Sequence, residues 1–91
     1  MIKADYLDRL YEEGFRFKLL SQSTWEADGD DFSCYAIYGS DGALLTSIIL
    51  REYGEDGVAV YFCAETNRVD DDIARLKDIA AARAVEVKAH G

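Results

Sequence analysis

The sequence predicts a small α+β domain, a four-stranded antiparallel β-meander flanked by an N-terminal and a C-terminal helix in the order α-β-β-β-β-α. Three observations point to it. Across residues 32–65, runs rich in β-branched and aromatic residues (FSCYAIYG, LLTSIILREY, VAVYFCAE) are separated by Asp41-Gly42 and by the cluster from Gly54 to Gly57, which are strong local hairpin signals. Upstream, Asp28-Gly29 joins the run FRFKLLSQSTWE to the same sheet. At both ends of the chain the apolar residues switch from alternation to helical spacing.

The first helix rests on Ile2, Tyr6, Leu7 and Leu10, with Lys3, Asp5, Asp8, Arg9, Glu12 and Glu13 on its wet side. Gly14 can end it, since glycine takes the left-handed conformation of a C-terminal cap without strain. Phe15, Phe17 and Leu19 then open the first strand, which reaches Trp25 or Glu26. Asn67 or Asp70 can cap the second helix, and Asp70, Asp71 and Asp72 place carboxylates where the helix dipole favours them. Val69, Ile73, Leu76, Ala80, Ala84 and Val87 carry its apolar stripe, predicting a helix from Val69 or Asp70 to about Val85 with a frayed VKAHG tail. Both stripes must be buried on one face of the sheet.

Two-residue hairpin loops set a register and sort the side chains by face. That register places Tyr38 opposite Leu45, Cys34 opposite Ile49, Arg51 opposite Val60, Trp25 opposite Phe32 and Leu19 opposite Tyr38. The expected core face holds Phe17, Leu19, Trp25, Phe32, Cys34, Ala36, Tyr38, Leu45, Ile49, Val58, Val60, Phe62 and Ala64. The opposite face then carries Tyr35, Ile37, Ile48, Leu50 and Tyr61, an apolar island of the kind that marks an interface. Cys34 and Cys63 fall on opposite faces with a strand between theirs, so no disulfide joins them.

At 91 residues the chain is one domain, and its 49% apolar content is that of a folded chain. A formal charge of −8 disfavours nucleic acid and anionic lipid and favours partners with a basic surface. No apolar run approaches the roughly 18 to 20 residues of a membrane span. MIKADYLDRL has the pattern of neither a signal nor a transit peptide, so a cytoplasmic protein is expected.

No residue set carries recognisable catalysis. His90 is the single histidine, next to the C-terminus, and a general base must be held within hydrogen-bond reach of its proton. The acidic run from Glu26 to Asp31 lacks the ligand order and closing glutamate of a calcium loop, and the glycines form neither GxGxxG nor a P-loop. The expectation is no catalytic residues, no metal and no cofactor. Asp30, Asp31 and Asp56, at the hairpin tips, join Tyr35, Ile37, Ile48, Leu50 and Tyr61 as candidate partner-binding residues.

In size, acidity and lack of an active site, carried by the stretches EADGDDF, GEDG and RVDDDIARL, the chain resembles the anti-CRISPR proteins and other small phage-encoded inhibitors. The resemblance implies a non-enzymatic inhibitor that docks on a basic surface of a nucleic-acid-handling protein complex. It transfers no binding residue, because that group shares neither a fold nor a signature motif. The alternative is a homo-oligomeric structural or assembly protein, a homodimer that pairs through its apolar sheet face.

Overall fold

The structure, a computed structural model, describes the chain except for Met1, Glu26, Asp28, residues 54–56, Cys63, Ala64, Asn67 and Gly91, and except for the side chains of Trp25, Glu65, Thr66 and residues 85–90. Helix α1 spans Lys3–Glu12, strands β1 to β4 span Arg16–Trp25, Asp30–Tyr38, Leu44–Tyr53 and Gly57–Tyr61, β5 is the two-residue Glu65–Thr66, and α2 spans Val69–His90. The sheet is an antiparallel meander in the order β1-β2-β3-β4-β5, so the predicted α-β-β-β-β-α order holds, with a short fifth strand added at the edge.

Gly14 ends α1 as its sequence position predicts. Its φ of +94° lets the Gly14 amide donate to the Tyr11 carbonyl at 3.0 Å and the Phe15 amide to the Leu10 carbonyl at 3.0 Å, the paired bonds of a Schellman cap. Leu10 and Phe15, brought together by that cap, are both buried in the core. Helix α2 begins at Val69, with the Arg68 carbonyl accepting from the Asp72 amide at 3.2 Å. The expected frayed tail is instead helical to His90, since nothing between Val85 and His90 breaks a helix and the chain has no proline.

Both helices lie on one sheet face. Tyr6, Leu7 and Leu10 of α1 and Ile73 and Leu76 of α2 are buried with Tyr35, Ile37, Ile48, Leu50, Val60 and Phe62, and Phe17, Val58, Val69 and Ile79 pack against this cluster. The Phe17 and Tyr35 rings meet edge to face with centroids 5.9 Å apart. That face is not the one expected for β2 and β3. Phe32, Cys34, Ala36 and Ile49 lie on the side away from the helices, and Tyr35, Ile37, Ile48 and Leu50 are the core.

The inversion comes from hairpin loops longer than two residues. Between β2 and β3 the Gly39 amide donates to the Ala43 carbonyl at 2.9 Å, leaving a three-residue loop closed by Gly42 at φ +84°. A register shift after Ile37, where Leu45 is the extra residue, compensates for it, so the expected pairing of Cys34 with Ile49 stands. Between β3 and β4 nothing compensates. Tyr53 pairs with Gly57 and Leu50 with Val60, one residue away from the expected register, which carries Leu50 to the side of Val60. In β1 the shift between Leu19 and Ser21 does the same. Phe17 and Leu19 pair with Ile37 and Tyr35, while Ser21 and Ser23 pair with Cys34 and Phe32 on the open face.

A buried polar contact joins the two helices. The Tyr6 hydroxyl donates to Asp72 Oδ2 at 3.0 Å, with both residues 1% exposed. Around it lie exposed or half-exposed pairs, Arg9 with Asp70 at 2.9 Å, Lys77 with Glu13 at 2.9 Å and Lys3 with Glu52 at 3.8 Å. Such surface pairs contribute about 0–1 kcal/mol each. Burial foremost, and then the adjacent Asp72 charge and hydrogen bond, push the Tyr6 pKa well above the ordinary tyrosine range. The phenol therefore stays protonated in the fold after unfolded tyrosines ionise, and its contribution to stability falls as pH rises above about 10. Tyr6→Phe, which leaves the Asp72 carboxylate without this donor, is expected to destabilise the fold by about 1–3 kcal/mol at neutral pH. Melts from pH 8 to 11 should show a smaller alkaline decline for Tyr6→Phe than for the wild type; parallel declines would remove Tyr6 from the account.

Candidate functional site

With the helices on one side, the other face of the sheet has no covering layer among the described residues. Its cross-strand rows follow from the register. Ser23, Phe32, Arg51 and Ala59 form one row, and Ser21, Cys34, Ile49 and Tyr61 the next. Ile49 is 42% exposed and Tyr53 45% exposed, while Phe32, Cys34 and Tyr61 are half-buried.

Arg51 is the centre of this face. Its Nε donates to Asp30 Oδ2 at 2.7 Å, and its guanidinium lies 5.8 Å from the Phe32 ring centroid and 5.9 Å from that of Tyr53. The Tyr61 hydroxyl foremost, and then the Asp30 carboxylate, raises its pKa above the ordinary arginine value. The positive charge is therefore permanent. Asp30 is 7% exposed and its carboxylate is neutralised by Arg51, so the apolar rings around the pair meet solvent with little net charge between them.

Asp30, Asp31 and Glu52 lie together at one end of the sheet. Trp25 pairs with Asp30, Asp31 with Glu52, and Tyr53 with Gly57, so the β1–β2 and β3–β4 connections leave the sheet at the same end. The sequence from Glu26 to Asp31 and from Arg51 to Asp56 holds Glu26, Asp28, Asp30, Asp31, Glu52, Glu55 and Asp56 against Arg51 alone. Asp31 is exposed and accepts a 2.6 Å hydrogen bond from Thr24 Oγ1. Glu26, Asp28, Glu55 and Asp56 lie outside the described residues.

The candidate residues divide accordingly. Tyr35, Ile37, Ile48 and Leu50 are 7%, 0%, 1% and 0% exposed, so they form the core under the helices and cannot present a docking surface. Tyr61 is on the open face, Asp30 is beside it as Arg51's partner, and Asp31 stands exposed at the acidic end. Asp56 lies outside the described residues, as does Cys63, and Cys34 carries a free thiol. Sequence reasoning missed Phe32, Ile49, Arg51 and Tyr53. The available signal was loop length, because a three-residue β3–β4 loop would have moved Leu50 to the face of Val60.

Among the described residues no group of three or more His, Cys, Asp or Glu side chains could hold a metal ion, and no helix is long and apolar enough to cross a membrane. Compared with protein-family models, curated proteins and solved structures, the chain matches none. Adjacent residues on β3 test the face assignment. Ile48→Ala should destabilise the fold by about 2–5 kcal/mol, as truncation of a buried isoleucine does, whereas Ile49→Ala should stay within about 1 kcal/mol of wild type. Denaturant unfolding of the two variants checks this, and the reverse order would restore the opposite assignment.

Proposed function

We propose that the protein is a non-enzymatic binding module that docks on the basic surface of another protein through the acidic end of its sheet and the adjoining open face. The observation that carries this reading is the placement of Asp30, Asp31 and Glu52 together at one end of the sheet, in segments whose sequence holds seven carboxylates against one guanidinium, beside exposed Ile49 and Tyr53. Charge concentrated at one end steers a basic partner and orients it before contact, and partly exposed aromatic and aliphatic side chains supply the desolvated centre. Proteins that handle nucleic acids present clustered Lys and Arg to phosphates, so their binding surfaces are the partner class with the matching sign. An inhibitor of such a complex would occupy that surface in place of the nucleic acid.

The reading is tested by affinity capture from the native host, followed by binding isotherms with the purified captured protein at two salt concentrations. The expected partner has a basic surface and binds more weakly at the higher salt. Charge reversal at Asp31 and Glu52, or Ile49→Asp, should weaken it about tenfold or more, whereas Asp78→Lys on the exposed side of α2 should change affinity little. Binding that is indifferent both to salt and to Asp31 and Glu52 would rule the acidic-end interface out.

A further inference from the structure

Strand β1 forms an open edge of the sheet. Strand β1 is ten residues long and pairs only with β2, and residues 18–24 are all exposed, Leu19 at 43% and Leu20 at 54%. Its other side is a row of main-chain groups able to extend the sheet, and edges of this length are usually shortened, charged or interrupted by proline. Here Lys18 is the single charged residue among those exposed positions, and the chain has no proline.

We infer that β1 pairs antiparallel with β1 of a second copy of this chain, joining two sheets into one continuous sheet about a two-fold axis. Three observations select a second copy as the occupant. The first is charge. Arg16 and Lys18 stand at the start of β1, and Asp30 and Asp31 lie across from Trp25 and Thr24 at its other end, so the edge runs from positive to negative. Antiparallel pairing sets the positive start of each strand beside the acidic end of the other, and no like charges face each other along it.

The second is the bulge. Before it the helix-side residues are Phe17 and Leu19; after it they are Gln22 and Thr24. Residues opposed in one sheet must share a face. Two copies of β1 satisfy this when Leu20 of one opposes Ser21 of the second copy, which sets Lys18 against Ser23, Leu19 against Gln22 and Phe17 against Thr24. Shifting by one residue would set helix-side residues against open-face ones throughout. The third is extent. Ten residues of antiparallel pairing form about ten main-chain hydrogen bonds, comparable to the number in a standard protein interface. The helix layers of the two copies then lie on the same side, and the open faces merge into one surface.

Sedimentation equilibrium of the full chain tests this directly. The expected mass at high concentration is twice the 10.2 kDa of one chain, returning to one chain on dilution or in high salt. Leu20→Lys and Ser23→Lys, both at exposed positions, should lose the dimer while their melting curves stay those of the single chain; Ile49→Asp on the open face should keep it. If Leu20→Lys fails to fold, Ser23→Lys carries the same expectation. A chain of single mass at every concentration, or a dimer that survives Leu20→Lys and Ser23→Lys but is lost in Ile49→Asp, would overturn the β1 pairing.

Discussion

Two amphipathic helices can cover one face of a small sheet but not both, and the organisation of this molecule follows from which face they take. Tyr6, Leu7 and Leu10 from one end of the chain and Ile73 and Leu76 from the other converge on Tyr35, Ile37, Ile48 and Leu50. A chain this short has little core to spare. The helices must therefore share one hydrophobic surface, and whatever lies on the other side of β2 and β3 is left to water or to a partner. The Tyr6–Asp72 hydrogen bond sits where the two helices meet over that core, between residues 66 positions apart in sequence. Its burial makes it the polar contact whose loss would be felt, in contrast to the exposed ion pairs around it.

The uncovered face has a different chemistry. There Arg51 is held by Asp30 and flanked by two aromatic rings, so its charge is spent within the protein while apolar atoms of Ile49 and Tyr53 remain in contact with solvent. Asp31 stands exposed at the end of the sheet, in segments whose sequence is rich in carboxylates. Separating an apolar area from a charged rim is the usual anatomy of a protein interface, with desolvation at the centre and steering at the margin. The β1 edge adds a main-chain surface at right angles to that face, so pairing there would double the sheet and leave both open faces available.

Much of the architecture was legible because it depends on local rules. The helical stripes, the Gly14 cap and the number and order of the long strands follow from period, turn residues and glycine conformation. The covered face was not legible, because both alternating sets on β2 and β3 are apolar: Phe32, Cys34 and Ile49 could form a core as well as Tyr35, Ile37, Ile48 and Leu50. Parity then depends on loop length, and a single extra residue changes it. The β2–β3 loop contained an extra residue whose effect Leu45 cancelled, so that register came out correctly from an incorrect loop. The β3–β4 loop and the bulge near Leu20 had no such cancellation. The candidate site was therefore only partly legible. Asp30 and Tyr61 lie on the open face, Asp31 stands exposed at the same end of the sheet as Asp30, the four apolar candidates lie in the core, and Arg51 was hidden because its role arises from neighbours far apart in sequence.

The central claim, that the helices cover Tyr35, Ile37, Ile48 and Leu50 and leave the opposite face open, is tested most directly by isoleucine methyl NMR with a soluble paramagnetic probe. The probe broadens signals by proximity to solvent, and neighbouring isoleucines on β3 point to opposite sides. The account predicts strong broadening of the Ile49 methyl, and of the exposed Ile2 methyl, with Ile37, Ile48 and Ile73 protected. A protected Ile49 beside a broadened Ile48 would contradict it.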